Sequence, residues 1–184
     1  MDQHNFPPGR IKNCQICNST NLIDVINLGD QPLANTLIKN AEDDNKVEKY
    51  PVNIVRCKEC TLLQIDYIVD QTKVYHLDYP YLPGITKTVD NEQLELSDYL
   101  HKELDLKKDQ LVVDIGSNDG SLLKHFKAKG IETVGVEPTN ISKIANQNGV
   151  HTIQSFFNEK TAENIIGKFG KAKLITCTNV FAHM

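Results

Sequence analysis

The chain has 184 residues, of which 40% are hydrophobic and 24% are charged, and its net charge is −4. A chain of this length forms one medium domain, or one small domain and part of another. Its apolar runs are only three or four residues long, which excludes a membrane-spanning helix, and its acidic balance argues against a general nucleic-acid-binding protein.

The first segment, residues 1–70, contains two cysteine pairs with the same spacing. Cys14 and Cys17 form the first C-x-x-C pair, and Cys57 and Cys60 form the second. Short alternating apolar stretches and turn residues predict a small β-rich unit. Four thiolates satisfy the tetrahedral geometry of zinc without an open position, so the pattern favours a structural Zn²⁺ site. Buried cysteines without metal and a redox pair remain alternatives, and the spacing does not separate zinc from iron.

A thiolate metal site needs reduced cysteines. The N-terminal residues lack the basic-then-apolar pattern of a secretory signal, so we expect a cytoplasmic protein without disulfides. The fifth cysteine, Cys177, stands apart from both pairs, and a buried structural role is favoured there over a reactive thiol.

The second segment, residues 71–109, begins with the Tyr- and Pro-rich stretch YHLDYPYLPGIT. Apolar residues then recur at steps of three and four, which predicts a helix from Thr86 to Leu104. A polar link leads to the third segment, residues 110–184.

The third segment alternates between strand and helix patterns. Strands are predicted at LVVDIG, IETVGVEP, VHTIQSFF and KLITCTNVFAHM, and helices at SLLKHFKAKG, NISKIANQNG and NEKTAENIIGKFG. Gly130 and Gly149, at the ends of the first two helices, suit left-handed C-caps. The alternation predicts βαβ units, a parallel sheet and therefore an α/β fold.

A glycine loop follows the first of these strands and reads Asp114-Ile-Gly116-Ser-Asn118-Asp-Gly120. Glycines there permit a tight turn or the close approach of a ligand, and the helix that follows begins with free N–H groups. Asn118 stands where a dinucleotide loop often has a further glycine, and asparagine tolerates a positive φ. Glu137 ends the second strand, where a carboxylate can accept both hydroxyl groups of an adenosine ribose. A turn that merely requires its glycines is the structural alternative.

These features together resemble the class I S-adenosylmethionine-dependent methyltransferases, whose first motif is D/E-x-G-x-(G/N)-x-G. More of the chain resembles the sugar C-methyltransferases of deoxysugar pathways. The matching pieces are Cys14/Cys17, LGDQPLAN, Cys57/Cys60 with TLLQ, DYPYLPGIT, VVDIGSNDGSLL, GVEPTN and NVFAHM, in the family's order along almost the whole chain. The resemblance implies the N-terminal half of a class I Rossmann-like sheet, preceded by a small β-rich zinc-binding domain.

The resemblance also implies the chemistry. The family's substrate is a nucleotide-linked keto-deoxysugar that loses the proton at C3, and the enolate carbon takes the methyl group of S-adenosylmethionine. Such a site requires a base, a group that stabilises the enolate oxygen and in-line placement of the methyl group. Neither nucleic acid nor a membrane is an expected partner.

By resemblance, one set of residues lines the cofactor pocket: Asp114, Gly116, Asn118, Gly120, Glu137, Pro138, Phe156 and Asn179. Phe156 or Phe157 is expected to cover the adenine, with core packing as the alternative. Tyr79 and Tyr81 are candidates for substrate contact, or else pack between domains, and His183 is a candidate for orienting a loop near the cofactor. Where the family usually has serines after these tyrosines, this chain has LPGIT, which puts contacts from those hydroxyls in question.

The family continues beyond the fourth strand, and its main acid–base residues lie there. We therefore expect this chain to be the N-terminal portion of the enzyme, inactive alone and completed by a C-terminal fragment. Two other interpretations remain: a non-catalytic zinc- and nucleoside-binding module, and an NAD-dependent sugar-nucleotide oxidoreductase with a deviant glycine loop. The sequence does not specify the sugar, the methylated carbon or the oligomeric state.

Overall fold

Residues 7–34, 36–38, 40, 42 and 46–181 are described by a computed structural model, in which the backbone separates into two units. The N-terminal unit is Met1–His76 and the C-terminal unit is Leu77–Met184. Among the described helices, none is long and apolar enough to cross a membrane.

The N-terminal unit is rich in β-strands, as the sequence predicts, and the structure shows that they pair antiparallel. Its elements are β1 (Gly9–Arg10), β2 (Leu22–Pro32), β3 (Lys49–Cys57), β4 (Leu63–Ile65), β5 (Tyr67–Ile68) and a short helix α1 (Gln71–Val74). β2, β3 and β4 form one antiparallel sheet in that order, and β1 pairs with β5.

The core of the N-terminal unit is small. Of the 19 buried hydrophobic residues among those described, only four lie in this unit: Ile11, Cys14, Val55 and Cys57. A unit that buries so few apolar side chains needs a further source of stability, such as a bound metal. Two of the four, Cys14 and Cys57, are predicted metal ligands and so lie in the core, whereas the ligand Cys17 is exposed and Cys60 is half-buried.

Polar side chains also connect the strands of this unit. The buried Asn53 amide in β3 donates to Asp24 Oδ1 at 2.7 Å and to Asp66 Oδ2 at 3.1 Å. Arg10 in β1 pairs with the same Asp66 carboxylate. The network therefore joins β1, β2 and β3 where apolar contacts are few.

The C-terminal unit has a parallel sheet with helices on both faces, which confirms the predicted α/β fold. Its elements are a 3-10 helix (Pro83–Ile85), α2 (Lys87–Glu103), β6 (Leu111–Ile115), α3 (Ser121–Ala128), β7 (Glu132–Val136), α4 (Ile141–Gln147), β8 (Thr152–Ile153), α5 (Glu159–Phe169) and β9 (Ala172–Thr176). The strand order is β8-β7-β6-β9, and every pairing is parallel.

β6 is buried on both faces because successive side chains of a strand point to opposite sides. Val112 packs with Phe126 of α3 in one hydrophobic cluster. Leu111 and Val113 pack with Ile165 of α5 in a second cluster. A parallel strand covered on both faces has an apolar sequence throughout, which explains the run LVV.

Element bounds agree with the sequence for the helices and less well for the strands. The predicted helix from Thr86 to Leu104 is α2, with these two residues as its caps. The fourth predicted strand was too long, since β9 ends at Thr176. Asn179 has a φ of 56°, which an extended strand does not allow. Residues 182–184, the end of that predicted strand, lie outside the described part of the chain.

Candidate functional site

The carboxyl ends of β6 and β7 carry two buried carboxylates. Asp114, in β6, is 3% exposed and accepts a hydrogen bond of 2.7 Å from the Thr176 hydroxyl at the end of β9. Burial raises the pKa of Asp114 to about 6, the Thr176 hydrogen bond opposes the shift, and the charge of Glu137 adds to it. The fold therefore keeps an acid at a position where its charge is costly.

Glu137 follows β7 and holds the glycine loop. It is 5% exposed, and its Oε2 accepts the N–H of Asn118 at 3.1 Å while its Oε1 accepts the N–H of Thr139 at 2.9 Å. Each carboxylate oxygen has two lone pairs, so each retains capacity for one further donor. Glu137 thus connects the loops after β6 and β7.

The glycine loop requires left-handed backbone at three positions. The φ angles are 70° at Gly116, 50° at Asn118 and 77° at Gly120, which confirms that Asn118 takes a positive φ. A Cβ at Gly116 would lie 2.4 Å from Val180 Cγ2, and one at Gly120 would lie 2.9 Å from Val150 Cβ. The left-handed backbone and the neighbouring valines therefore explain why both positions require glycine.

The remaining predicted cofactor residues follow strand ends at the same edge of the sheet. Pro138 comes two residues after β7, Phe156 follows β8, and Asn179 lies beyond β9 and is exposed. Phe157 packs against the second hydrophobic cluster, so core packing accounts for that ring and leaves Phe156, which is half-buried, as the candidate for the adenine. His183 lies outside the described residues.

The two tyrosines lie in a segment that reaches the glycine loop. The side-chain amide of Asn118 donates to the Tyr81 carbonyl oxygen at 3.0 Å. The Tyr81 side chain is exposed and that of Tyr79 is half-buried. Asp119 is a further residue of the site that the motif alone does not indicate, and its Oδ2 accepts the Gly84 N–H at 3.0 Å. Its place inside the loop, directly before a glycine, was the available signal.

The donor and acceptor groups of this edge fit a cationic, phosphate-free nucleoside. Asp114 and Glu137 are buried acids, Asp119 adds a third carboxylate, and the loop from Asp114 to Gly120 contains no lysine or arginine. Such a field repels a pyrophosphate and favours a sulfonium and an ammonium group. The Ser117 hydroxyl is buried in the loop and has no hydrogen-bond partner among the described residues. It lies against β7, where a Cβ at Gly135 would be 2.3 Å from it, so it does not face a ligand.

The four cysteines of the two pairs come together in the N-terminal unit. The sulfur atoms of Cys14, Cys17, Cys57 and Cys60 all lie within 4.8 Å of one another. Cys14 Sγ is 3.5 Å from Cys60 Sγ, and Cys17 Sγ is 3.5 Å from Cys57 Sγ. Zinc–sulfur bonds of about 2.3 Å in a tetrahedron separate the sulfurs by about 3.8 Å. The arrangement fits a structural Zn²⁺ held by four thiolates, and the cysteines are free of disulfides.

The two knuckles share one backbone design. The carbonyl of the first cysteine accepts the N–H four residues later, from Asn18 in one knuckle and from Thr61 in the other. Asn18 and Thr61 have φ angles of 61° and 65°. In the first knuckle, the N–H groups of Cys17 and then Ile16 lower the pKa of Cys14 to about 6. The N–H groups of Cys60 and Glu59 likewise lower the pKa of Cys57, whereas burial and the neighbouring thiols raise the pKa values of Cys17 and Cys60. The backbone therefore favours the thiolate at the first cysteine of each knuckle, and a metal requires the thiolate at all four.

Comparison with known proteins agrees with both sites. The family model described as "Putative zinc binding domain" matches residues 14–75, and the family model described as "Methyltransferase domain" matches residues 90–184. C-methyltransferase NovU of Streptomyces niveus is 29% identical to this chain over 175 residues, which are 95% of the chain and 41% of that relative. The chain therefore spans less than half the length of this curated relative.

The methyltransferase match covers residues 90–184, just over half of the chain, and includes the glycine loop and Glu137. A methyltransferase domain implies S-adenosylmethionine as the methyl donor, in agreement with the carboxylates of the loop. The chain belongs to the family of methyltransferase domains, and a four-cysteine zinc-binding unit precedes its methyltransferase domain.

Proposed function

We propose that the chain is the N-terminal portion of an S-adenosylmethionine-dependent C-methyltransferase whose acceptor is a nucleotide-linked keto-deoxysugar, methylated at C3 through an enolate. The observation that carries the cofactor class is the set of three carboxylates, Asp114, Asp119 and Glu137, around a glycine loop without basic residues. The C-methyltransferase relative supports a carbon acceptor.

Each residue of the site has a role in this proposal. When bound, S-adenosylmethionine supplies an electrophilic methyl group. Glu137 accepts the ribose hydroxyls with its free lone pairs, Asp114 provides negative charge near the cationic groups, and Phe156 covers the adenine. Pro138, in the loop after β7, and Asn179, in the loop after β9, line the cofactor pocket.

Fewer of the residues proposed to bind and activate the sugar acceptor lie within this chain. Tyr79 and Tyr81 are the residues proposed to contact the sugar. Since the relative is more than twice as long as the matched region, we propose that the acid–base residues belong to a C-terminal portion, on the same polypeptide or on a complementing fragment.

The domain limits follow these roles. Residues 1–70 hold the structural zinc, residues 71–109 contain the tyrosine segment and helix α2, and residues 110–184 bind the cofactor. We place the protein in the cytoplasm because a four-thiolate site requires reduced cysteines.

Calorimetry tests the cofactor class directly. S-adenosylmethionine and S-adenosylhomocysteine are expected to bind the chain, and NAD is not. Glu137→Gln should weaken binding about 10- to 100-fold, since it replaces a charged acceptor. Glu132→Gln, at the exposed start of the same strand, is the matched control and should bind normally. Binding of NAD, or no heat with either sulfur nucleoside, would show that the proposal is wrong.

A transfer assay tests the acceptor. The chain is incubated with labelled S-adenosylmethionine and a nucleotide-linked keto-deoxysugar, alone and with the C-terminal portion of a C-methyltransferase relative. Label in the sugar only when both parts are present supports the proposal. Cofactor binding without transfer in either mixture identifies a non-catalytic nucleoside-binding module instead.

A further inference from the structure

Residues 77–85, which we name the strap, cross from the start of the C-terminal unit to helix α2 and contact the loops of the candidate cofactor site. The Leu77 carbonyl accepts the Asn140 N–H at 2.9 Å, in the loop after β7. The Tyr81 carbonyl accepts the Asn118 side-chain amide at 3.0 Å, and the Gly84 N–H donates to Asp119 Oδ2 at 3.0 Å. The strap is thus attached to the loops after both β6 and β7.

Hydrogen bonds attach the strap to the loops, and three of its large apolar side chains are exposed, while Tyr79, Leu82 and Pro83 are half-buried. Leu77, Tyr81 and Ile85 are 58%, 53% and 76% exposed, so their side chains contribute little to packing. A segment that buries little apolar surface and depends on a few hydrogen bonds opens at a low free-energy cost. The hydrogen bonds to Asn118 and Asp119 fasten the strap at its C-terminal end, and those from Asn140 to Leu77 and Asp78 fasten its N-terminal end.

The same two residues shape the cofactor loop. Asn118 donates its N–H to Glu137 and accepts the Asp119 N–H with its side-chain oxygen at 2.9 Å. Asp119 Oδ1 accepts the Ser121 N–H at 3.2 Å, at the start of α3. One continuous set of hydrogen bonds runs from the strap, through Asn118 and Asp119, to the acid proposed to bind the ribose.

Gly84 fits closely against this set. A Cβ at Gly84 would lie 2.5 Å from Asp119 Oδ2 and 3.2 Å from Ser121 Cβ. Since Asp119 Oδ2 also accepts the Gly84 N–H, the carboxylate cannot move away from a methyl group without losing that bond.

We propose that Asn118 and Asp119 are positioning residues that fasten the strap to the cofactor loop, so that cofactor binding and strap closure stabilise each other. This inference rests on the proposed function, because it takes the loop as the nucleoside site. Closure holds the Tyr81 backbone against the loop, so the bound cofactor also fixes the segment with the two tyrosines proposed to contact the sugar. Such coupling is reciprocal, so weakening the strap must also weaken cofactor binding.

Hydrogen exchange measured by mass spectrometry on the full 184-residue chain tests the coupling, with S-adenosylhomocysteine as the probe. At a probe concentration of one hundred times Kd, the strap amides should exchange more slowly, by up to about 100-fold if the strap opens only when the ligand leaves. Gly84→Ala, which leaves every loop residue in place, should abolish this protection and raise the Kd several-fold.

The matched control is Gly167→Ala in α5, where a Cβ would meet nothing within 4 Å. It should show the same protection and Kd as the wild-type chain. If circular dichroism shows that Gly84→Ala does not fold, Asp119→Asn is measured instead. In this variant one of the two carboxylate oxygens of Asp119 is replaced by an NH₂ donor, which faces an N–H group and cannot accept its hydrogen bond.

The outcomes separate this inference from the proposed function. If the probe binds and protects residues 116–120 but leaves strap exchange unchanged, the coupling is wrong and the cofactor assignment stands. If the probe does not bind the wild-type chain, the proposed function and the coupling both fail. The role of Asp119 in holding the strap can still be tested in the ligand-free chain. There, the strap amides of Asp119→Ala must exchange faster than those of Gly167→Ala, and equal exchange rates would show that Asp119 does not hold the strap.

Discussion

Thr61 holds a backbone conformation that a β-branched residue rarely adopts. Its φ is 65°, and its hydroxyl donates to the adjacent Cys60 carbonyl at 2.7 Å. In the other knuckle the equivalent position is Asn18, a residue type that tolerates this region. The second knuckle therefore contains local strain that the first avoids.

We expect Thr61→Asn to stabilise the zinc-loaded unit by about 1 kcal/mol, because it relieves the cost of a left-handed residue. Competition with a chromogenic chelator measures the effect as a later midpoint of zinc release. The reverse exchange, Asn18→Thr, is the control and should release zinc earlier. An earlier midpoint for Thr61→Asn would show that the knuckle does not strain Thr61.

Asp114 makes stability depend on pH. Its pKa is raised to about 6 by burial, while an unfolded aspartate titrates near 3.9. The folded state therefore binds the extra proton between about pH 4 and pH 6, and stability falls as the pH rises through this window. Asp114→Asn cannot ionise and should be more stable than the wild-type chain at pH 7.5, by up to about 3 kcal/mol. The two proteins should converge near pH 4.

Urea unfolding followed by circular dichroism at 222 nm measures this difference, since the chain has no tryptophan to report it. Asp109→Asn, at an exposed position just before β6, is the control and should show no comparable pH-dependent gain. An Asp114→Asn chain that is less stable than the wild type at pH 7.5 would show that the buried charge contributes favourably to the fold.

At the scale of elements, the sequence predicted what local patterns determine. Helix α2 follows from apolar residues at steps of three and four, and the C-cap glycines Gly130 and Gly149 have the expected φ angles of 78° and 80°. The parallel sheet follows from the alternation of strands and helices. These features depend on neighbours in the chain, so a single sequence contains them.

Strand lengths and loop contacts depend on residues that are distant in the chain, so the sequence alone does not predict them. β8 pairs with β7 through only Thr152 and Ile153, although eight residues there have a strand-like pattern. The stretch after Thr176 has β-prone residues but turns at Asn179. Likewise, nothing in the sequence shows that Gly84 and Asp119, 35 residues apart, form a hydrogen bond. The candidate loop was predictable from its motif, and its attachment to the strap was not.

At the scale of the whole molecule, the two units have different sources of stability. In the part of the chain that the structure describes, the N-terminal unit contains four of the 19 buried hydrophobic residues, and two of these four are cysteines of the predicted zinc site. The C-terminal unit contains the other 15, and 13 of these form two clusters on the faces of the parallel sheet. Binding of zinc by four thiolates contributes on the order of 10 kcal/mol to folding, more than the net stability of many small domains.

Removing the metal should therefore unfold one unit and spare the other. We expect a chelator to move the amide resonances of residues 7–76 into the unfolded region of a ¹H–¹⁵N spectrum, while most resonances of residues 77–181 keep their positions. The helical circular dichroism signal at 222 nm should persist. Cys57→Ser, which removes a buried ligand, should reproduce the effect without chelator. Cys177→Ser, which changes a cysteine outside the site, should retain one equivalent of zinc and a folded spectrum. If the resonances of residues 7–76 survive chelation, the strand pairing and the polar network of Asn53, Asp24 and Asp66 hold this unit without metal. If the resonances of residues 7–76 and 77–181 are lost together, the C-terminal core depends on the N-terminal unit.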